Sequence, residues 1–174
     1  MNQPTYVNNR VLKLNVGFLL TSGPGKSHDS VIDFPAVKVA DDLMIKYLRG
    51  PLRLSRTKEG ILVQAQLETA VDDECYRCLD EVEHTVNVNL EELYAYQSYP
   101  SQSEFSIGDD AILNLAPLLR AEVLIELSHG VLCRPDCKGL CPECGTNLNK
   151  ATCNCEDNKI DPRMEALKKL LKSD

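Results

Sequence analysis

The sequence predicts an α+β protein: an antiparallel β-sheet or partial barrel covered by a helix, with a cysteine-rich zinc-binding C-terminal appendix and a terminal helix. Three observations carry this reading. Period-2 apolar spacing recurs through the first half of the chain, a dense apolar stretch follows Asn114, and six of the eight cysteines crowd into residues 131–158, which have little periodicity of their own. A chain of 174 residues can bury a core without metal or disulfide, so the cysteines need a separate explanation. The change at residue 131 also divides the chain into a sheet-plus-helix domain over 1–130 and a zinc-binding tail with its helix over 131–174.

Val11 to Leu20 alternates and meets Ser22-Gly23-Pro24-Gly25, which predicts a strand ending at a turn, with a loop after it. Leu43–Ser55, Ile61–Thr69 and Val82–Tyr96 read as antiparallel strands. The clearest signals are Ile61, Val63, Ala65 and Leu67, and then Val82, Val86, Val88 and Leu90. Thr57-Lys58-Glu59-Gly60 suits a hairpin turn between the first pair, and the segment holding Cys75 and Cys78 joins the second pair. Tyr99 to Asp110 is polar, as an exposed connector would be. Leu115, Leu118, Leu119, Val123, Leu124 and Leu127 then predict a largely buried helix capped by Asn114. At the C-terminus, Asp161 and Pro162 open a second helix striped by Met164, Leu167, Leu170 and Leu171, with lysines near its end.

The cysteines form four close pairs: Cys75 and Cys78, Cys133 and Cys137, Cys141 and Cys144, Cys153 and Cys155. Tetrahedral zinc takes four thiolates, and a short pair supplies two from one turn at little entropic cost. Eight thiols in four pairs therefore predict two four-cysteine zinc sites. Cys141-Pro142-Glu143-Cys144-Gly145 has the form of a zinc knuckle, in which the glycine takes positive φ and lets backbone amides point at sulfur. Two groupings are open. Cys141 and Cys144 can join Cys153 and Cys155, leaving Cys133 and Cys137 to meet Cys75 and Cys78; or Cys133, Cys137, Cys141 and Cys144 can join, sending Cys153 and Cys155 to Cys75 and Cys78. His84 alternates with strand valines and His129 ends the helix, so both read as structural and not as ligands.

Cys75-Tyr76-Arg77-Cys78 also has thioredoxin-like spacing. That chemistry wants the motif at a helix start after a parallel strand, and here it joins antiparallel strands. An oxidation that ejects zinc and frees the tail, as in a redox-responsive switch or holdase, is the alternative.

The opening MNQPTYVNNRVLKLNV lacks the features of a secretory signal, and no run approaches the ~20 apolar residues that span a bilayer. The expected setting is the cytoplasm, where thiols stay reduced. A net charge of −7 argues against general coating of nucleic acid, and the acid is concentrated: residues 71–132 hold thirteen acidic against two basic residues. That stretch reads as a solvated face or as a surface for a basic partner. Lys46, Arg49, Arg53, Arg56 and Lys58 form the basic counterpart, either a solvated strand or a phosphate-contacting patch for RNA with Tyr47 as a stacking group. The chain holds no Walker loop, GxGxxG segment, GxSxG elbow or HExxH pair, so it reads as a non-enzyme without a small-molecule substrate.

The tail CRPDCKGLCPECGTNLNKATCNC, the following DPRMEALKKLL, Cys75-Tyr76-Arg77-Cys78-Leu79 and the helix DDAILNLAPLLRAEVLIEL together resemble the bacterial and plastid family of large ribosomal RNA subunit accumulation proteins, or YceD family. The likeness covers roughly residues 10–172 and departs at Leu127-Ser128, where such helices usually end in Leu-Pro. It implies a role in accumulation of 23S ribosomal RNA, with ribosomal RNA or a large-subunit ribosomal protein as partner. Some members of the family lack the cysteine tail, which implies that the metal supports the function and does not perform it.

Overall fold

The computed structural model describes residues 6–96 and 105–155. The chain runs through β1 (Val7–Asn8), a 3-10 turn (Asn9–Leu12), β2 (Lys13–Asn15), α1 (Gly17–Leu20), β3 (Ser27–Phe34), β4 (Val37–Ala40), β5 (Leu43–Ile45), β6 (Leu48–Arg56), β7 (Gly60–Glu74), β8 (Glu81–Tyr96), β9 (Ser106–Ile107), β10 (Ile112–Asn114) and α2 (Ala116–Leu127). The described chain is mostly β-sheet, with few helices and six of the eight cysteines gathered near its end. The expected terminal helix and part of the expected 99–110 connector lie outside the described residues.

The strands form three sheets. The largest has the order β3-β6-β7-β8-β9, antiparallel except for the parallel β8–β9 edge. Small sheets of β1-β4-β5 and β10-β2 accompany it. The turn Thr57–Gly60 forms as expected, closed by a 2.9 Å bond from the Thr57 N–H to the Gly60 carbonyl.

Alternation along β7 and β8 explains the core. Val63, Ala65 and Leu67 on β7 and Val86, Val88 and Leu90 on β8 are buried on one face, and they join Leu118, Leu119 and Val123 of α2 in a single cluster. Leu115 is the residue at the N-cap and Asn114 lies just before it, so Asn114 does not cap the helix as expected; its side-chain oxygen accepts the Ala116 N–H at 3.2 Å across the entry to the first turn. The helix is less buried than expected: Ala116, Leu118, Leu119 and Val123 face the core, while Ile125 is 53% exposed.

Two expectations are corrected. Val11–Leu20 is not a strand. Its buried residues are Leu12, Val16 and Leu19, which do not alternate as one strand would bury them, and the chain there forms a 3-10 turn, a three-residue strand and α1. The expected Leu43–Ser55 strand is divided into β5 and β6, because the chain changes sheets at Lys46, whose N–H bonds the Ala70 carbonyl at 2.8 Å.

The β7–β8 hairpin is the feature that positions the site. Its ladder runs from Gly60↔Ala95 to Glu74↔Glu81, whereas β6 reaches only as far as Thr69. The last turn-ward pairs therefore project beyond β6 as a two-stranded arm, and Cys75 to Asp80 form its tip.

Candidate metal centres

The arm's tip is held by two backbone bonds. The Cys75 N–H donates to the Asp80 carbonyl at 2.9 Å, and the Leu79 N–H donates to the Cys75 carbonyl at 2.8 Å. The same two bonds recur one segment later, where the Cys141 N–H donates to the Thr146 carbonyl at 2.8 Å and the Gly145 N–H to the Cys141 carbonyl at 2.9 Å. The residue after the second cysteine takes positive φ in both, 58° at Leu79 and 71° at Gly145. Both C-x-x-C segments are thus the same knuckle, although only one carries the glycine that marks it in sequence.

The knuckles also share a side-chain contact. Asp80 Oδ2 lies 3.5 Å from Cys78 Sγ, and Thr146 Oγ1 lies 3.1 Å from Cys144 Sγ. Direct bonds join the two: the Leu140 N–H donates to the Arg77 carbonyl at 3.0 Å, Lys150 Nζ lies 2.6 Å from Asp80 Oδ1, and the Asn147 amide donates to the same carboxylate. The tail is brought back to the arm by a bridge between Cys75 and Val131.

This geometry sorts the eight sulfurs into two groups. Cys75, Cys78, Cys133 and Cys137 form one, and Cys141, Cys144, Cys153 and Cys155 the other, with all sulfurs of a group within 4.8 Å of one another. Of the two groupings open to sequence, the more local one is the arrangement present. All eight are free thiols. In the first group Cys75 and Cys137 sulfurs are 3.8 Å apart, and those of Cys78 and Cys133 are 3.6 Å apart. A disulfide would need roughly 2.05 Å. Four thiolates about 2.3 Å from a central zinc stand roughly 3.8 Å apart along each edge of their tetrahedron, so the donor set fits such an ion in number, type and spacing.

Burial separates the groups. Cys75, Cys78 and Cys137 are buried with Cys133 exposed, whereas in the second group only Cys141 is buried. Within each, the thiols polarise one another. Burial pushes the Cys75 thiol up, but the backbone N–H groups of Cys133, Arg77 and Cys78 outweigh it and bring it down to about 6. At Cys78 the Asp80 backbone pulls downward, yet burial and the neighbouring thiols win and push it up to about 12. The Thr146 hydroxyl and backbone hold Cys144 down to about 6, and that neighbour in turn pushes Cys155 up to about 12. Each group thus mixes thiols held down, Cys75 and Cys137 in the first and Cys144 in the second, with thiols pushed up beside them, a conflict that a bound dication would relieve.

Neither histidine joins a cluster among the described residues. His84 Nδ1 lies 3.1 Å from Asp73 Oδ2, and His129 Nδ1 lies 3.2 Å from the Glu126 carbonyl. The five basic residues are not gathered into one free patch. Lys46 Nζ is 2.6 Å from Asp72 and 2.7 Å from Glu83; Arg49 pairs with Asp33 at 3.5 Å and Arg53 with Asp29 at 3.7 Å. Arg56 lies over the Tyr96 ring and reaches the Ser22 and Thr57 carbonyls, while Lys58 is exposed in the hairpin turn. Sequence reading missed the supporting residues Asp80, Thr146, Asn147, Asn149 and Lys150, of which Asn149 donates to Cys137 Sγ at 3.3 Å. One signal was available: in both C-x-x-C segments the second residue past the pair carries a side-chain oxygen.

The sequence profile of the family described as "Large ribosomal RNA subunit accumulation protein YceD" matches residues 63–171. The protein of Mycobacterium tuberculosis called "Uncharacterized protein Rv2926c" is 36% identical over 126 residues, 69% of this chain and 60% of the relative. "Uncharacterized protein YlbN" of Bacillus subtilis is 27% identical over 103 residues, 58% of this chain and 60% of the relative. The maize protein "Large ribosomal RNA subunit accumulation protein YCED homolog 1, chloroplastic" is 33% identical over 52 residues, 29% of this chain and 18% of the relative. The chain thus spans about 60% of the length of the first curated relatives it matches. No solved structure matches it significantly.

Proposed function

Because the chain belongs to the large ribosomal RNA subunit accumulation protein (YceD) family, we propose that it is a non-enzymatic, cytoplasmic ribosome-biogenesis factor. It supports accumulation of the large-subunit (23S) ribosomal RNA by binding that RNA or a ribosomal protein. Each cysteine group holds one structural zinc: Cys75, Cys78, Cys133 and Cys137 the first, Cys141, Cys144, Cys153 and Cys155 the second. The observation that carries the zinc reading is the 3.6 and 3.8 Å sulfur spacing of the first group, which matches thiolates sharing one ion. Four protein thiolates close the coordination sphere, so the metal supplies cohesion where residues 131–155 have little core of their own. The tail, 131–174, is on this reading a zinc-stapled unit carried by the 1–130 domain.

Two measurements test it. Native mass spectrometry of the purified protein should find two zincs that chelator removes, and a metal-free protein with an ordered tail overturns the zinc reading. Depletion in cells should lower 23S relative to 16S ribosomal RNA, and an unchanged ratio overturns the biological one. If Lys46, Arg49, Arg53, Arg56 and Lys58 contact RNA, phosphate must displace carboxylates from Lys46, Arg49 and Arg53. Reversing Arg49, Arg53 and Arg56 should then weaken low-salt cosedimentation with ribosomal particles, and unchanged cosedimentation removes these residues from the interface.

The exposure of Cys144 and the half-burial of Cys153 and Cys155 favour a second reading, a redox-responsive zinc switch or holdase. Function that arises only after peroxide releases zinc would select it. Function with both zincs retained selects the first.

A further inference from the structure

The geometry points to the outer face of the five-stranded sheet as a docking surface for an extended, Lys/Arg-rich segment of a partner polypeptide. The face opposite the core is exposed over most of its length, with Ala70 fully buried on it, while α2 and the buried valines and leucines of β7 and β8 meet on the other side. Register fixes what this outer face carries. One row reads Asp33↔Arg49↔Glu68↔Asn87 across β3, β6, β7 and β8, and another reads Asp29↔Arg53↔Gln64↔Glu91. Each arginine therefore stands between acceptors of its own sheet. Along the arm the same face continues with Asp72↔Glu83 and Glu74↔Glu81, like charges placed directly opposite, which costs stability. Lys46 bridges only the first of these pairs.

Eight carboxylates thus share the face with three cations, Lys46, Arg49 and Arg53, all of them already paired. An RNA phosphate chain would meet repulsion over most of it. A second copy of the chain in a two-fold contact would place acid against acid. A basic polypeptide fits both the charge and the shape. Between the rows lies a depression of about 490 Å³ lined by Arg49, Gly50, Gln66, Glu68, Asn87 and Asn89. Glycine keeps the strands close there, since a Cβ at Gly50 would stand 2.0 Å from the Gln66 carbonyl oxygen. Amide and carboxylate oxygens around the depression suit an ammonium or guanidinium head, and Val31, 78% exposed beside Pro51, offers apolar surface for the side-chain stem. This gives the proposed function a partner class, and its test reads peptide binding alone, so either can fail without the other.

The test uses the full zinc-loaded chain and a fluorescein-labelled decalysine peptide in low salt. A face variant, D72N/E81Q/E83Q/E91Q, is compared with a charge-matched control off the face, D109N/E122Q/E126Q/E143Q. The face variant should bind about tenfold more weakly and with a shallower salt dependence, the control within about twofold of the parent. Equal weakening by both variants shows attraction to net charge only and overturns the proposal. Binding of an oligouridylate that the face variant abolishes overturns it as well, by making the face an RNA surface. Should the face variant lose zinc or fold, the unmodified chain decides: decalysine should shift the side-chain amide resonances of Gln66, Asn87 and Asn89, and shifts confined elsewhere refute the assignment.

Discussion

The two cysteine groups are built on the same knuckle and differ in what they connect. The first takes two sulfurs from the tip of the β7–β8 arm and two from a tail more than fifty residues away, and three of its four cysteines are buried. The second lies wholly within residues 141–155 and is less buried, with Cys141 buried, Cys153 and Cys155 half-buried and Cys144 exposed. Sequence separation explains the contrast. A long closed loop costs more entropy, so the first site must be reinforced by the protein around it, and it is: Arg77 donates to the Cys137 carbonyl at 3.1 Å, Asn149 supports Cys137 Sγ, and Asp80 gathers Asn147 and Lys150. A short-range site needs less support. The first group is a clasp between two parts of the fold, and the second stiffens a loop that the clasp has already captured.

The largest effect should come from breaking the clasp. Cys75→Ser with Cys78→Ser should remove one zinc and release the tail, at a cost of several kcal/mol of local opening free energy. Hydrogen exchange and limited proteolysis across 131–155 would read this. Cys153→Ser with Cys155→Ser should also remove one zinc yet leave residues 131–137 protected on the arm. Equal deprotection in both variants would mean that the two sites hold the tail as one.

Next in size is the order of metal release. Exposed sulfurs admit a chelator without opening of the arm, so the second zinc should leave first, about tenfold faster or more, in a chelator-coupled absorbance assay. Oxidation by peroxide should follow the same order, because Cys144 is exposed and its thiol is held down to about 6 by Thr146. Simultaneous release of both ions would mean that the bonds joining the knuckles, Leu140 to Arg77 and Lys150 to Asp80, make one cooperative unit of them.

A smaller contrast lies in the matched residues that follow each knuckle. Asp80→Ala strands Asn147 and Lys150 and should cost about 1–2 kcal/mol, whereas Thr146→Ala removes one hydroxyl and should cost about 0.5–1 kcal/mol. Chemical denaturation followed through the tail measures both. Asp80→Asn should fall between them, because it keeps an acceptor and loses the charge that faces Lys150.

How much of this was legible in sequence follows from which interactions are local. Ile61 to Leu67 and Val86 to Leu90 alternate because one face of each strand is buried, so these elements could be read directly. Both cysteine groups were countable from pairing alone. Their membership was not, because it depends on the arm bringing Cys75 and Cys78 to Val131, a contact set by sheet register. β3 escaped notice for a related reason. As an edge strand it buries only Ile32 and presents Ser27, Asp29, Val31 and Asp33 outward, so its sequence looks like loop. Val11–Leu20 reads as one strand because its apolar residues outnumber its buried ones, and only the burial of Leu12, Val16 and Leu19 shows that the segment breaks into three short elements.

The smallest test exploits a residue that sits where its partner knuckle has glycine. Leu79 holds φ of 58°, a conformation that costs an L side chain roughly 1 kcal/mol, and its side chain is 58% exposed. Leu79→Gly relieves that strain but adds up to about 1 kcal/mol of unfolded-chain entropy, so stability should change by less than about 0.5 kcal/mol. Gly145→Ala introduces the strain without relief. A Cβ there meets nothing within 4 Å, so the cost is conformational alone, about 1 kcal/mol. If the knuckles are equivalent, the two substitutions should differ by that margin in denaturation midpoint while both proteins keep two zincs. A large loss from Leu79→Gly would instead show that the leucine side chain itself helps hold the clasp, and the two turns would share a backbone without sharing a role.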